Sequence, residues 1–148
     1  MKIPYLTLTL IAIFANICVS AQAAPVVRPS DVNTNPTAYD SKTVVLIGTL
    51  FFSFPAHSRF IYDSFDIAKR EWRYREYHSD FNTFDFDKFI KYCISIANPE
   101  NIPHRFYGKA VNVRVIGRII ADNIDAYYSV GTCGGNTAIE VEKIVDSW

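Results

Sequence analysis

Residues 42–54 read Lys-Thr-Val-Val-Leu-Ile-Gly-Thr-Leu-Phe-Phe-Ser-Phe, and their side chains alternate with a period of two. Val44, Leu46, Gly48, Leu50, Phe52 and Phe54 form one row, and Thr43, Val45, Ile47, Thr49, Phe51 and Ser53 form the other. One wholly apolar row beside a mixed one predicts a long strand lying on a core. Gly48 stands in the core-facing row, where it has nothing to pack. It therefore marks a bulge or a tight coil that lets one strand serve both halves of a small barrel. The pattern recurs later in the chain, where Val113, Val115, Gly117 and Ile119 repeat Val44, Leu46, Gly48 and Leu50 at the same spacing. Two long strands, each bent at a glycine, predict a closed sheet.

The first residues have the layout of a secretory leader. Lys2 supplies the positive charge, residues 6–19 are apolar but too short to cross a bilayer comfortably, and Ala21-Gln22-Ala23 offers small residues where a signal peptidase reads them. Cleavage is expected after Ala23, with Ala21 as the alternative, which divides the chain into a signal peptide over 1–23 and a single domain over 24–148. Ile17 precedes Cys18 where a lipoprotein signal needs a small residue, and no charged stop-transfer flank follows. The expectation is a periplasmic or secreted protein with no stable membrane insertion after signal cleavage. Cys18 leaves with the leader, so Cys93 and Cys133 are the remaining thiols, and an oxidising compartment makes that pair read as a disulfide. Closing a loop of about 40 residues would stabilise the fold by roughly 4 kcal/mol on the chain-entropy model. The alternative is two separate small core residues.

A chain of 148 residues has room for one domain with a modest core. Residues 25–29 form an extended lead-in between prolines; Ser30 and Asp31 cap a short helical turn that Pro36 ends. Residues 39–42 are a turn into the first long strand, and Pro55 blocks pairing beyond Phe54. A second strand spans 59–64, with Phe60 and Tyr62 opposite in facing to Ile61 and Asp63. A third spans 92–97, with Ile94 and Ile96 on one face and Cys93 and Ser95 on the other. The fourth spans 110–121, and the fifth starts at Ile139 and Val141. Between the second and third, residues 65–89 keep neither a helical nor a strand period throughout. They are expected to be a long insertion with one extra hairpin or helical turn.

Five strands, of which the first and fourth are long and glycine-bent, fit an all-β, five-stranded OB-fold-like Greek-key barrel. The chain resembles a family of small exported bacterial OB-fold proteins of unassigned activity. The likeness is carried by Asn35-Pro36, by Tyr39-Asp40-Ser41-Lys42 leading into Val44 to Leu50, by Cys93-Ile94-Ser95-Ile96, by Gly108-Lys109 leading into Val113 to Gly117, and by Ile139 and Val141. These are scaffold positions covering most of the mature chain. They imply the fold and are nearly silent on chemistry. The 65–89 insertion is longer and more aromatic than that family's pattern.

Lys+Arg and Asp+Glu are both 15, so no net charge draws a polyanion from a distance. A local surface is offered by the insertion, where Lys69, Arg70, Arg73 and Arg75 interleave with Trp72 and Tyr74. Rings and cations in that order suit a protein hot spot, a sugar face or stacked bases with their phosphates. Glu71, Glu76 and the acids of 80–87 offer a blander account, a flap held by internal ion pairs. The leading expectation is a non-catalytic module binding a protein or an envelope glycan; single-stranded nucleic acid is the alternative, and an exported hydrolytic enzyme ranks third. Asp63 and Asp66, or Asp85 and Asp87, beside Arg114 or Arg118, lack a diagnostic metal or nuclease spacing. His57, His78 and His104 stand far apart, and Gly131-Thr132-Cys133-Gly134-Gly135 lacks the lysine of a phosphate loop. No catalytic residue, metal or cofactor is expected.

Overall fold

The computed structural model describes residues 23–53, 58–77, 90–121, 133 and 137–148; the side chains at 53, 58, 72, 74–77 and 146 lie outside that description. The leader expected over 1–23 falls almost wholly outside it. Among the described residues no helix is long and apolar enough to cross a membrane.

The two glycine-bent stretches are strands β2 (Thr43–Ser53) and β5 (Lys109–Ile120). They pair antiparallel, and the register places Val44 opposite Gly117, Leu46 opposite Val115 and Gly48 opposite Val113. The sequence echo is thus a pairing rule, in which each strand's glycine faces a valine of the other. Val44, Leu46, Leu50, Val113, Val115 and Ile119 are all fully buried. A Cβ at Gly48 would strike the Tyr62 carbonyl and come within 2.7 Å of Ile61 Cγ2, and one at Gly117 would lie 2.5 Å from the Glu140 carbonyl oxygen. Glycine is required at both places because a neighbouring strand passes where a side chain would stand.

Around this pair run β1 (Val26–Val27), β3 (Ser58–Tyr62), β4 (Cys93–Ile96) and β6 (Ala138–Ser147). The order β2-β3-β4-β6-β5 returns to β2, which closes a five-stranded barrel, with β4 and β6 parallel and the other pairs antiparallel. β1 adds a short parallel partner to β2. Register shifts in β5–β6 at Arg114/Val115 and Ile116/Gly117 provide the extra coil that closure needs. Ile61, Ile94, Ile96, Ile139 and Val141 complete the interior with the rows of β2 and β5.

Short helical pieces contribute to the same core. α1 (Pro29–Thr34) has proline at its first turn, and Asp31 accepts from the Arg28 backbone N–H at 2.8 Å, so Asp31 closes the helix start from within rather than by preceding it. Pro36 does end α1 but also opens α2 (Pro36–Tyr39). Val32 from α1, Ile102 just after the 3-10 segment Pro99–Asn101, and Phe106 from the 3-10 segment His104–Phe106 are buried with the barrel core. Ser41 takes a left-handed φ of 59° in the expected turn, and Gly108 takes 69° before β5.

The first half of the insertion corrects the sequence expectation. Residues Phe65–Tyr77 form a 13-residue helix, α3, not a hairpin or a single turn. Its second half, residues 78–89, lies outside the described residues.

Candidate functional site

Helix α3 starts where the chain leaves β3. Ser64 is its N-cap: the Oγ accepts from the Ile67 N–H at 3.4 Å and the carbonyl accepts from the Ala68 N–H at 3.1 Å. Asp66 in the first turn favours the positive end of the helix dipole. The helix lies against β2, β3 and β5, on the outside of the barrel. Ala68 is buried there with Phe60, Tyr62, Cys93 and Cys133, and Ile67 and Phe51 pack at the margin. A second, smaller core therefore sits between helix and barrel.

The disulfide is part of that layer. Cys93 and Cys133 are bonded across a sequence separation of 40, and both are buried. Residue 133 is anchored further by the Ser95 hydroxyl, which donates to the Cys133 carbonyl at 3.1 Å. Glu71, only 1% exposed, brings Oε2 to 3.9 Å from Cys133 Sγ. An oxidised sulfur has no proton to donate, so this is a packing contact. Glu71, Cys93 and Cys133 form the one cluster of potential metal donors among the described residues, with donor atoms within 4.8 Å. Both sulfurs are committed to their mutual bond, which leaves a single carboxylate and no basis for a metal site.

The opposite face of α3 carries the sequence-predicted cations. Lys69, Arg70 and Arg73 are all exposed, at helical positions i, i+1 and i+4, and Asp66 is exposed beside them. No ion pair joins Lys69, Arg70 or Arg73 to another group among the described residues. Trp72, Tyr74 and Arg75 belong to the same helix, with side chains outside the described set. The structure therefore gathers all six positions on one element and presents at least three cations outward. It buries Glu71, one of the acids expected to neutralise them.

Other candidates are accounted for structurally. Asp63 is tied to α1: its Oδ1 accepts from the Ser30 N–H at 2.8 Å, and its carbonyl accepts from the Arg28 guanidinium at 2.9 Å. Arg118 pairs with Glu140 at 2.6 Å on the surface. His104 is exposed and lies 4.6 Å from the Tyr107 ring. Asp85, Asp87, His57, His78 and the glycines at 131, 134 and 135 lie outside the described residues.

Sequence reasoning missed a cleft of about 350 Å³ beside the start of α3, to which Phe65, Asp66, Asn112 and Trp148 contribute. Asn112 is held by the Thr49 hydroxyl, which donates to its Oδ1 at 2.8 Å, and its carbonyl accepts from the Trp148 N–H at 3.1 Å. The available signal was the pairing of Thr49 with Asn112 across two strands, which no single stretch of sequence displays.

OB barrels hold oligonucleotides on the outer face of their second and third strands. Here that face belongs to β3 and β4, and its residues Phe60, Tyr62, Cys93 and Ser95 are at most 6% exposed. Comparison of the chain with protein-family models, curated proteins and solved structures finds no significant match in any of the three.

Proposed function

We propose that this is an exported, non-catalytic binding module of the small bacterial OB-fold kind, recognising a protein or an envelope glycan along the outer face of α3. One observation carries the reading. Lys69, Arg70 and Arg73 project from a helix whose other side is fixed to the barrel by Ala68 and Glu71. A cationic stripe on a rigid mount suits an acid-bearing partner, because the helix backbone is already ordered and only the side chains lose freedom on binding. Trp72 and Tyr74 belong to the same helix, and the mutations below test whether they take part. Export is supported by the leader-like first residues and by the buried disulfide, which fits an oxidising compartment.

Single-stranded nucleic acid is the second reading, favoured only by the cations. The aromatic groups an OB barrel would offer to bases, Phe60 and Tyr62, are buried beneath α3. Against catalysis, Asp63 is occupied as a helix cap, and Asp66 belongs to no cluster of potential metal donors among the described residues.

The test is surface plasmon resonance with the mature chain against purified acidic envelope-glycan and envelope-protein fractions, with an oligothymidylate as control. The expected result is binding to an envelope fraction that weakens about tenfold or more in Arg70→Ala/Arg73→Ala and in Trp72→Ala/Tyr74→Ala. Oligothymidylate binding that falls steeply with salt would instead establish the nucleic-acid reading. Absence of binding to every fraction would overturn both.

A further inference from the structure

We infer that the cleft beside the start of α3 is a subsite for a neutral saccharide ring. The inference goes beyond the proposed function: it concerns a second site on the same barrel, rests on the reading of the barrel as a binding module, and does not depend on the cationic stripe.

The first observation is where exposed apolar surface gathers. Trp148 is 61% exposed and Phe65 48%, and both line this one cleft. Scattered exposed rings need no explanation, but two that share a concavity do. Trp148 is not a loose tail, since its N–H is bonded to the Asn112 carbonyl at the edge of β5. Flat rings on fixed backbone offer surfaces for the C–H faces of a pyranose.

The second observation is the polar complement. The Asp66 carboxylate has no partner among the described residues and supplies acceptors only. Asn112 has its Oδ1 occupied by Thr49, which fixes the amide and leaves its NH₂ as the remaining donor. Acceptors on one residue and donors on another match neighbouring sugar hydroxyls, each of which both gives and takes a hydrogen bond.

The third is charge. Arg28 and Asp63 also line the cleft, and they cancel formally while holding each other's segments in place through Asp63's carbonyl and carboxylate. Asp66 leaves the lining side chains with a net negative charge. A phosphate, nucleotide or uronic acid is disfavoured there, whereas an uncharged polyol meets no such penalty. A cleft of about 350 Å³ is at the small end of ligand sites and suits one or two rings, not an extended chain.

Isothermal titration calorimetry of the mature chain tests this with neutral N-acetylglucosamine, cello-, xylo- and manno-oligosaccharides, with glucosamine oligomers as a cationic arm. The expected result is binding of at least one neutral series, weakened about tenfold or more by Asp66→Asn and by Trp148→Ala and unchanged by Arg70→Ala/Arg73→Ala. Circular-dichroism melts identify any variant that has lost its fold. Asp66→Asn, which preserves shape, decides the matter if Trp148→Ala does not fold. No neutral binding, binding of glucosamine oligomers alone, or binding indifferent to Asp66→Asn would overturn the inference. If that happens while an acidic envelope fraction still binds through Arg70 and Arg73, this subsite falls and the proposed function stands.

Discussion

Gly48, Gly117 and Gly108 show that glycines in one chain are required for different reasons. At Gly48 and Gly117 the obstacle to a side chain is a neighbouring strand, whereas at Gly108 a Cβ would meet nothing within 4 Å and only the left-handed φ resists it. Gly48→Ala is expected to destabilise the protein by about 2 to 3 kcal/mol through forced displacement of β3. Gly108→Ala should cost about 1 kcal/mol, the strain of a left-handed alanine. Urea denaturation of both variants checks the ranking, and equal losses would contradict the close approach at Gly48. Gly48 was legible as a bend because it interrupts an apolar row. Asp63 was not legible as a cap, because its partner Ser30 lies far upstream and only the fold brings them within 2.8 Å.

Helix α3 was hidden by its own buried stripe. Sequence periodicity finds helices by their apolar spacing, and here Ile67 and Ala68 are followed one turn later by Glu71, an acid that is nonetheless 1% exposed. Composition gave the better signal, since Ala68, Lys69, Arg70, Glu71, Arg73 and Arg75 are strong helix formers following a serine cap. Ser64→Ala should therefore lower stability by about 1 kcal/mol, seen as a shift in the urea midpoint at unchanged slope. The strands were read more accurately. Ile94 and Ile96 lie in the barrel core and Cys93 in the outer layer, as alternation required, and Phe60 and Tyr62 likewise face away from Ile61.

At the scale of the molecule there are two packed layers, a filled barrel and a helix clamped to its outside, with the Cys93–Cys133 bond in the second. Cys93→Ala/Cys133→Ala should cost about 4 kcal/mol on the chain-entropy model and lower the melting temperature by about 10 °C or more, measured calorimetrically. Thiol reductant should reproduce the loss in the parent and have no effect in the double variant. The sequence by itself determined the barrel, because a period-two pattern leaves only one face to bury and two glycines prescribe where the sheet must coil. It also indicated the disulfide, through the pairing of the two thiols that remain once the leader-like first residues are set aside. Tertiary structure alone decided that α3 covers the face an OB barrel usually offers to bases, that Glu71 goes inward while Lys69, Arg70 and Arg73 stay out, and that Phe65, Asp66, Asn112 and Trp148 share one cleft. Those outcomes depend on contacts between residues distant in the chain, and local pattern carries no record of them.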